Sequence, residues 1–222
     1  MKSNSVWHDD TGAVLVEVSI LLPIIITLFC GSIDLLYAVY QWNAAAKAVA
    51  VGARIAAVSD PVALGLNNLS NQALLTGSSN AGEPMPPFRI TCDGGTQTCT
   101  CLGTCAGIVP NAFDAAAMDR IVFGRGSRSC TDATSYYTSG MCDILPAITP
   151  ANVKIVYTHT GLSYAGRPDG PTPTITIALQ NLHFQFFFLS YLLGRNIVMP
   201  EMTTTITAED LCSNGGSGSC GS

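Results

Sequence analysis

Residues 12–40, GAVLVEVSILLPIIITLFCGSIDLLYAVY, leave this chain few choices. Between Gly12 and Lys47 the only formally charged side chains are Glu17 and Asp34, and the apolar segment between those two acids approaches the roughly 20 helical residues that cross a bilayer core. A single membrane-spanning helix is the structure that satisfies such a run. Pro23 removes one of its backbone hydrogen bonds and predicts a bend. Glu17 stands at the very start, where a carboxylate costs about 2.5–3.5 kcal/mol if it sits deep. That cost calls for a partner group.

After Tyr40 the pattern changes from apolar to mixed. QWNAAAKAVAVGARIAAVSD repeats small and apolar residues, among them Val49, Ile55 and Ala56, at helical spacing, with Gln41, Lys47 and Arg54 elsewhere on the wheel. The helix is therefore expected to continue unbroken over residues 13–58, roughly 70 Å at 1.5 Å per residue, and to stop at Ser59, Asp60 and Pro61. Residues 1–12 are short, polar and without periodicity, and read as a leader or cytoplasmic stub. Residues 59–222 read as one extracytoplasmic α+β domain.

Within that domain the signals are uneven. A short helix is expected over 63–75, a Gly/Pro/Ser loop at GSSNAGEPMPP, and a strand over 88–91 running into the cysteine cluster CDGGTQTCTCLGTC. A helix over 110–123 ends at Gly124 and Gly126. Alternating, β-branched residues predict strands over 153–159, 172–179 and 202–207, which make the fold class α+β on an antiparallel sheet. LHFQFFFLSYLLG, between the last two, is too short to span a bilayer.

Composition sets the outer domain's character. Charged residues are 11% of the chain, against roughly 25% in ordinary soluble proteins, so the domain is polar mainly through Ser, Thr, Asn, Gln and Gly. The ten basic residues form no stripe and the net charge is -5, which argues against nucleic acid as a partner. Of the nine cysteines, Cys30 lies in the apolar helix as a small buried hydrophobe. The others, Cys92, Cys99, Cys101, Cys105, Cys130, Cys142, Cys212 and Cys220, all follow it and read as a disulfide framework in an oxidising compartment. Lys2 and the amino terminus on one side nearly balance Lys47 and Arg54 on the other, so the cysteines decide orientation: N-terminus in, C-terminus out. A cleaved secretory signal fits less well, because Glu17 and Asp34 are poor in its apolar region and no A-x-A site follows.

Catalytic patterns are missing: there is no G-x-S-x-G, H-E-x-x-H or phosphate-binding glycine loop. Cys92, Cys99, Cys101 and Cys105 could be imagined as a four-thiolate zinc site, but C-x-C spacing and an oxidising compartment favour disulfides. Proximity suggests Cys130 with Cys142 and Cys212 with Cys220. For the first four, Cys92–Cys99 with Cys101–Cys105 is simplest, and crossed pairings remain open. His159 and His183 read as structural, and Arg167 with Asp169 as turn polarity. The aromatic run Phe184, Phe186, Phe187, Phe188 and Tyr191 reads first as core under the long helix, and second as an exposed patch meeting other subunits or the membrane surface.

A glycine followed at the fifth position by glutamate, at the mouth of an apolar helix carrying a small α+β domain, resembles a type IV pilin-type precursor. Within that superfamily GAVLVEVSILLPIIITLFCGSIDL, with Leu22-Pro23 and Asp34, is similar to TadE-like proteins of tight-adherence (Flp-type) pilus assembly. PTITIALQNLHFQFFFLSYLLGRNIVMPEMTTTITAEDL is similar to the end of their ectodomains. One departure is His8, Asp9, Asp10 and Thr11, where pilin leaders are usually basic. The resemblance implies a pilin-like fold and cleavage between Gly12 and Ala13 by a prepilin peptidase. The new α-amino group would then lie four residues from Glu17, the assembly determinant. It further implies a minor pseudopilin of the inner membrane, without enzymatic activity or cofactor, serving surface adhesion and biofilm formation. Its partners would be other pilin or pseudopilin subunits, the peptidase, the inner-membrane secretion platform and membrane lipid. The competing expectation is an unprocessed, membrane-anchored extracytoplasmic binding module.

Overall fold

The computed structural model describes residues 10–75, 77, 79–105, 112–124, 130, 139–167, 170–193, 197–209 and 211. Their fold is α+β, a long apolar helix with an antiparallel five-stranded sheet. Helix α1, Asp10–Ala57, has 48 residues. It already includes residues 10–12, and Ser59 ends it by turning its hydroxyl onto the Ile55 carbonyl at 2.6 Å ahead of Pro61. The chain forms two compact units, Met1–Gln41 with Phe184–Ile197, and Trp42–His183 with Val198–Ser222.

In the first unit, every large apolar side chain of α1 from Val14 to Phe29 is exposed, Leu15 and Leu28 at 71% and 70%. No part of the described chain covers this surface. The few hydroxyls on it are turned inward: Ser19, Thr27 and Ser32 donate to the carbonyls of Val16, Pro23 and Phe29 at 2.7–2.8 Å. Such back-bonding hides a polar group from apolar surroundings, and the helix also tolerates Pro23 without breaking. The unit's second piece carries the one-turn helix α5, Leu189–Leu193.

In the second unit, α1 buries a face of small residues, including Ala45, Ala48, Gly52 and Ala56, spaced by threes and fours. Gly52 has a specific reason: a Cβ there would run into the Met141 side chain. Met141 opens a short helix, α4, Met141–Ile144, that nothing in the sequence announced. A 3₁₀ turn, Leu66–Asn68, and helix α2, Leu69–Leu75, occupy the expected 63–75 stretch. Helix α3 spans Ala115–Phe123, shorter than expected because Asp114 caps it, accepting from the N–H groups of Ala116 and Ala117.

The sheet runs β2-β1-β3-β4-β5, all antiparallel, with β1 Phe88–Asp93, β2 Thr98–Gly103, β3 Val153–Thr158, β4 Thr174–Leu179 and β5 Met202–Thr207. The inner strands bury Ile90, Ile155, Tyr157, Ile175 and Ile177, whereas the edge strand β5 shows alternating threonines to solvent. Threonine is a strand former that leaves an edge polar. Strand β2 was not expected, because its Thr-x-Thr alternation is interleaved with cysteines of the disulfide cluster.

Two side chains tie this unit together. The buried Tyr157 hydroxyl accepts from the Val62 N–H at 3.0 Å, joining the end of α1 to the central strand. Burial pushes this phenol far above its ordinary range. Tyr157→Phe leaves the Val62 N–H without a partner and is expected to cost about 1–3 kcal/mol in urea denaturation. Asp93 closes the β1–β2 turn: it accepts from the N–H groups of Gly95 and Thr96 and from the Gln180 amide at 2.9 Å. Burial pushes its carboxyl up, but these donors and the Lys154 charge outweigh it and hold it below the ordinary value. The sign follows: the stabilisation is complete above the unfolded value of about 3.9 and is lost as pH falls through the lowered folded one. An acid titration of unfolding should show this loss in the native chain and lack it in Asp93→Asn.

Candidate functional site

The sequence singled out residues at both ends of the apolar run. At its start, Gly12 and Ala13 lie in the first turns of α1, and a Cβ on Gly12 would meet nothing within 4 Å. Among the described residues, nothing outside the helix packs against this position. Glu17 follows one and a half turns later, exposed among exposed Val16 and Val18. Residues 1–9 of the expected leader lie outside the described residues.

At the other end is an arrangement that sequence reasoning only touched. Asp34 is completely buried, and its carboxylate accepts three backbone N–H groups: Phe187 at 2.9 Å, Phe188 at 2.8 Å and Leu189 at 2.6 Å. Leu189 opens α5 and Phe187 and Phe188 lead into it, so Asp34 holds the entry to a helix more than 150 residues away in the chain. Two turns further along α1, Gln41 reads the same segment. Its amide donates to the Gln185 carbonyl at 2.7 Å and accepts from the Gln185 N–H at 2.9 Å, so side chain and peptide pair as two strands would. Tyr37, between them on the same face, packs against Phe187 with ring centroids 5.0 Å apart and the planes tilted by 41°.

Asp34, Tyr37 and Gln41 thus form a face at spacings of three and four, on which residues 184–189 are laid by their backbone. Gln41, expected on the polar side of α1, is 4% exposed. The signal available in advance was two polar residues seven apart on one face of an otherwise apolar helix, which asks for a buried polar partner. The aromatic run is not core. Phe184 and Phe186 are half-buried, and Phe187, Phe188 and Tyr191 are 62%, 49% and 96% exposed. The main chain is docked and the rings are left outside. Beside them an open groove of about 330 Å³ lies between Ile26, Thr27, Cys30 and Gly31 of α1 and Phe188 and Tyr191.

The described cysteines of the second unit lie at disulfide distance as neighbours in sequence: Cys92 with Cys99, Cys101 with Cys105, and Cys130 with Cys142. Cys92 and Cys99 face each other directly across β1 and β2, with Cα atoms 4.0 Å apart, and both are buried. Cys212 and Cys220 lie outside the described residues, as does Asp169. Among the described residues no group of three or more His, Cys, Asp or Glu is gathered as metal ligands would be. His159 has a buried Nδ1 without a hydrogen-bond partner, and burial lowers its pKa. It packs near Phe88, with ring centroids 5.6 Å apart, in keeping with a structural role.

The family model for TadE-like protein matches residues 12–54, the stretch that holds Gly12, Glu17, Asp34 and Gln41. No curated protein and no solved structure matches the chain.

Proposed function

We propose that this chain, whose residues 12–54 match the family model for TadE-like protein, is a membrane-anchored minor pseudopilin acting in assembly of tight-adherence (Flp-type) pili for surface adhesion. The observation that carries the reading is the Gly12–Glu17 spacing at the head of an uncovered apolar helix within the matched segment. The helix is long and apolar enough to cross a membrane. In our reading it does so once, in the inner membrane, with residues 59–222 in the oxidising compartment outside and their cysteines joined as disulfides. A prepilin peptidase removes residues 1–12. The α-amino group freed on Ala13 answers Glu17, within the subunit or across a subunit contact, which turns a costly lone acid into a register mark for assembly. Other pilin or pseudopilin subunits and the inner-membrane secretion platform are the partners, and the protein has no catalytic role.

Intact mass of the membrane-extracted protein from its native host tests this directly. The expected result is a chain lacking residues 1–12 that gains two hydrogens for each disulfide on reduction, eight for the eight cysteines after the helix. A full-length chain would instead support an anchored, unprocessed binding module, and reduced cysteines would overturn the assigned compartment.

A further inference from the structure

The apolar part of α1 has a length that fixes a level. Residues 13–33 are 21 residues, about 31 Å of helix, which matches a hydrocarbon core about 30 Å thick. Asp34 is the first polar residue beyond them, so it marks the boundary of the core on the C-terminal side. Because its carboxylate holds Phe187, Phe188 and Leu189, that segment is held at the same level. The groove does not lie beyond the boundary. Ile26 to Gly31 precede Asp34 by three to eight residues, about 4–12 Å deeper along the axis. Phe188 and Tyr191 line it from the other side, so the chain descends from the boundary into the apolar layer.

A loop entering hydrocarbon must bring its own hydrogen-bond partners, since each unsatisfied backbone group there costs several kcal/mol. This one does. The Phe187, Phe188 and Leu189 N–H groups go to Asp34, both polar groups of Gln185 go to Gln41, and the Phe184 N–H goes to the Ile197 carbonyl. The Ser190 hydroxyl and the Tyr191 N–H turn back onto Phe186 and Phe188. The outward rings are aromatic, the side chains that favour the membrane interface.

We propose that residues 187–193 form an aromatic foot embedded in the leaflet at the C-terminal end of the apolar run, with Phe187, Phe188 and Tyr191 among the lipids and a lipid acyl chain in the groove. Lipid is the occupant that the geometry selects, because the groove opens at the depth where acyl chains run and is continuous with helix surface that the described residues leave bare. The proposal rests on the membrane-spanning reading of α1, and its test separates the two.

The full chain, with Trp7→Phe and Trp42→Phe, takes a single reporter as Tyr191→Trp, and in a second protein as Ile25→Trp. Both are reconstituted in phosphatidylcholine vesicles with or without bromine on the acyl chains. The expected result is blue-shifted emission from the position-191 reporter that loses most of its intensity in brominated lipid and little to iodide in the water. Emission at long wavelength, quenched by iodide and indifferent to bromine, would overturn the foot. If the position-25 reporter also escapes bromine, the membrane-spanning reading has failed. If the 191 reporter is quenched by bromine only at high lipid-to-protein ratio, a second copy's helix takes the groove and lipid occupancy is overturned.

Discussion

Glu17→Ala is expected to insert into the membrane as well as the native chain and to lose co-assembly with other pilus subunits. The two halves have one cause. Removing a carboxylate makes an apolar helix more apolar, so nothing opposes insertion, and the released cost is about 2.5–3.5 kcal/mol if the group sits deep. In the proposed assembly the same acid pairs with a cationic amino terminus and is the polar contact that distinguishes one register of helix packing from its neighbours. Its loss should weaken association by about 30- to 300-fold, the equivalent of about 2–3.5 kcal/mol at 1.4 kcal/mol per factor of ten. Membrane fractionation followed by cross-linking to the pilus subunits reads both halves at once. Unchanged cross-linking would show that Glu17 is not an assembly determinant and count against the proposed function.

Asp34→Ala should release the segment docked on α1. Three backbone N–H groups lose a charged acceptor, each worth about 1.5–3 kcal/mol and not fully additive, so local opening should become easier by about 3–5 kcal/mol. Hydrogen exchange at Phe187, Phe188 and Leu189 is the readout, expected to accelerate by about two to four orders of magnitude. The amides of β3 and β4 serve as the reference within the same molecule. Asp34→Asn keeps one acceptor oxygen and should fall between. Unchanged protection in Asp34→Ala would mean that Gln41 and the Tyr37–Phe187 contact hold the segment without it.

Where the chain was readable in advance, the information was local. A helix over α1 follows from an unbroken apolar run and its Ser59-Asp60-Pro61 stop. Strands β3, β4 and β5 follow from alternation and β-branching, and β5 was expected at its observed bounds, 202–207. The spacing of Gly12, Ala13 and Glu17 is likewise a local pattern along one helix, and the roles given to it belong to the proposed function. Strand β2 and helix α4 were not readable: one hides in a cysteine-rich stretch, the other is a single turn stabilised by Asp143 accepting from the Gly140 N–H.

The aromatic run shows why the rest needed three dimensions. A row of Phe and Tyr has the composition of a core, and composition alone favoured burial. What decided its fate was the backbone: Asp34 and Gln41, some 150 residues earlier, capture its N–H and C=O groups and so hold the rings outward. Sequence by itself determined the membrane-length helix, the α+β class and the acid at the helix mouth, because each is written in near-neighbour spacing. The strand order β2-β1-β3-β4-β5 and the hold that Asp34 takes on the entry to α5 were decided only in the tertiary structure. Both join residues whose complementarity exists only after distant segments have been brought within hydrogen-bond reach.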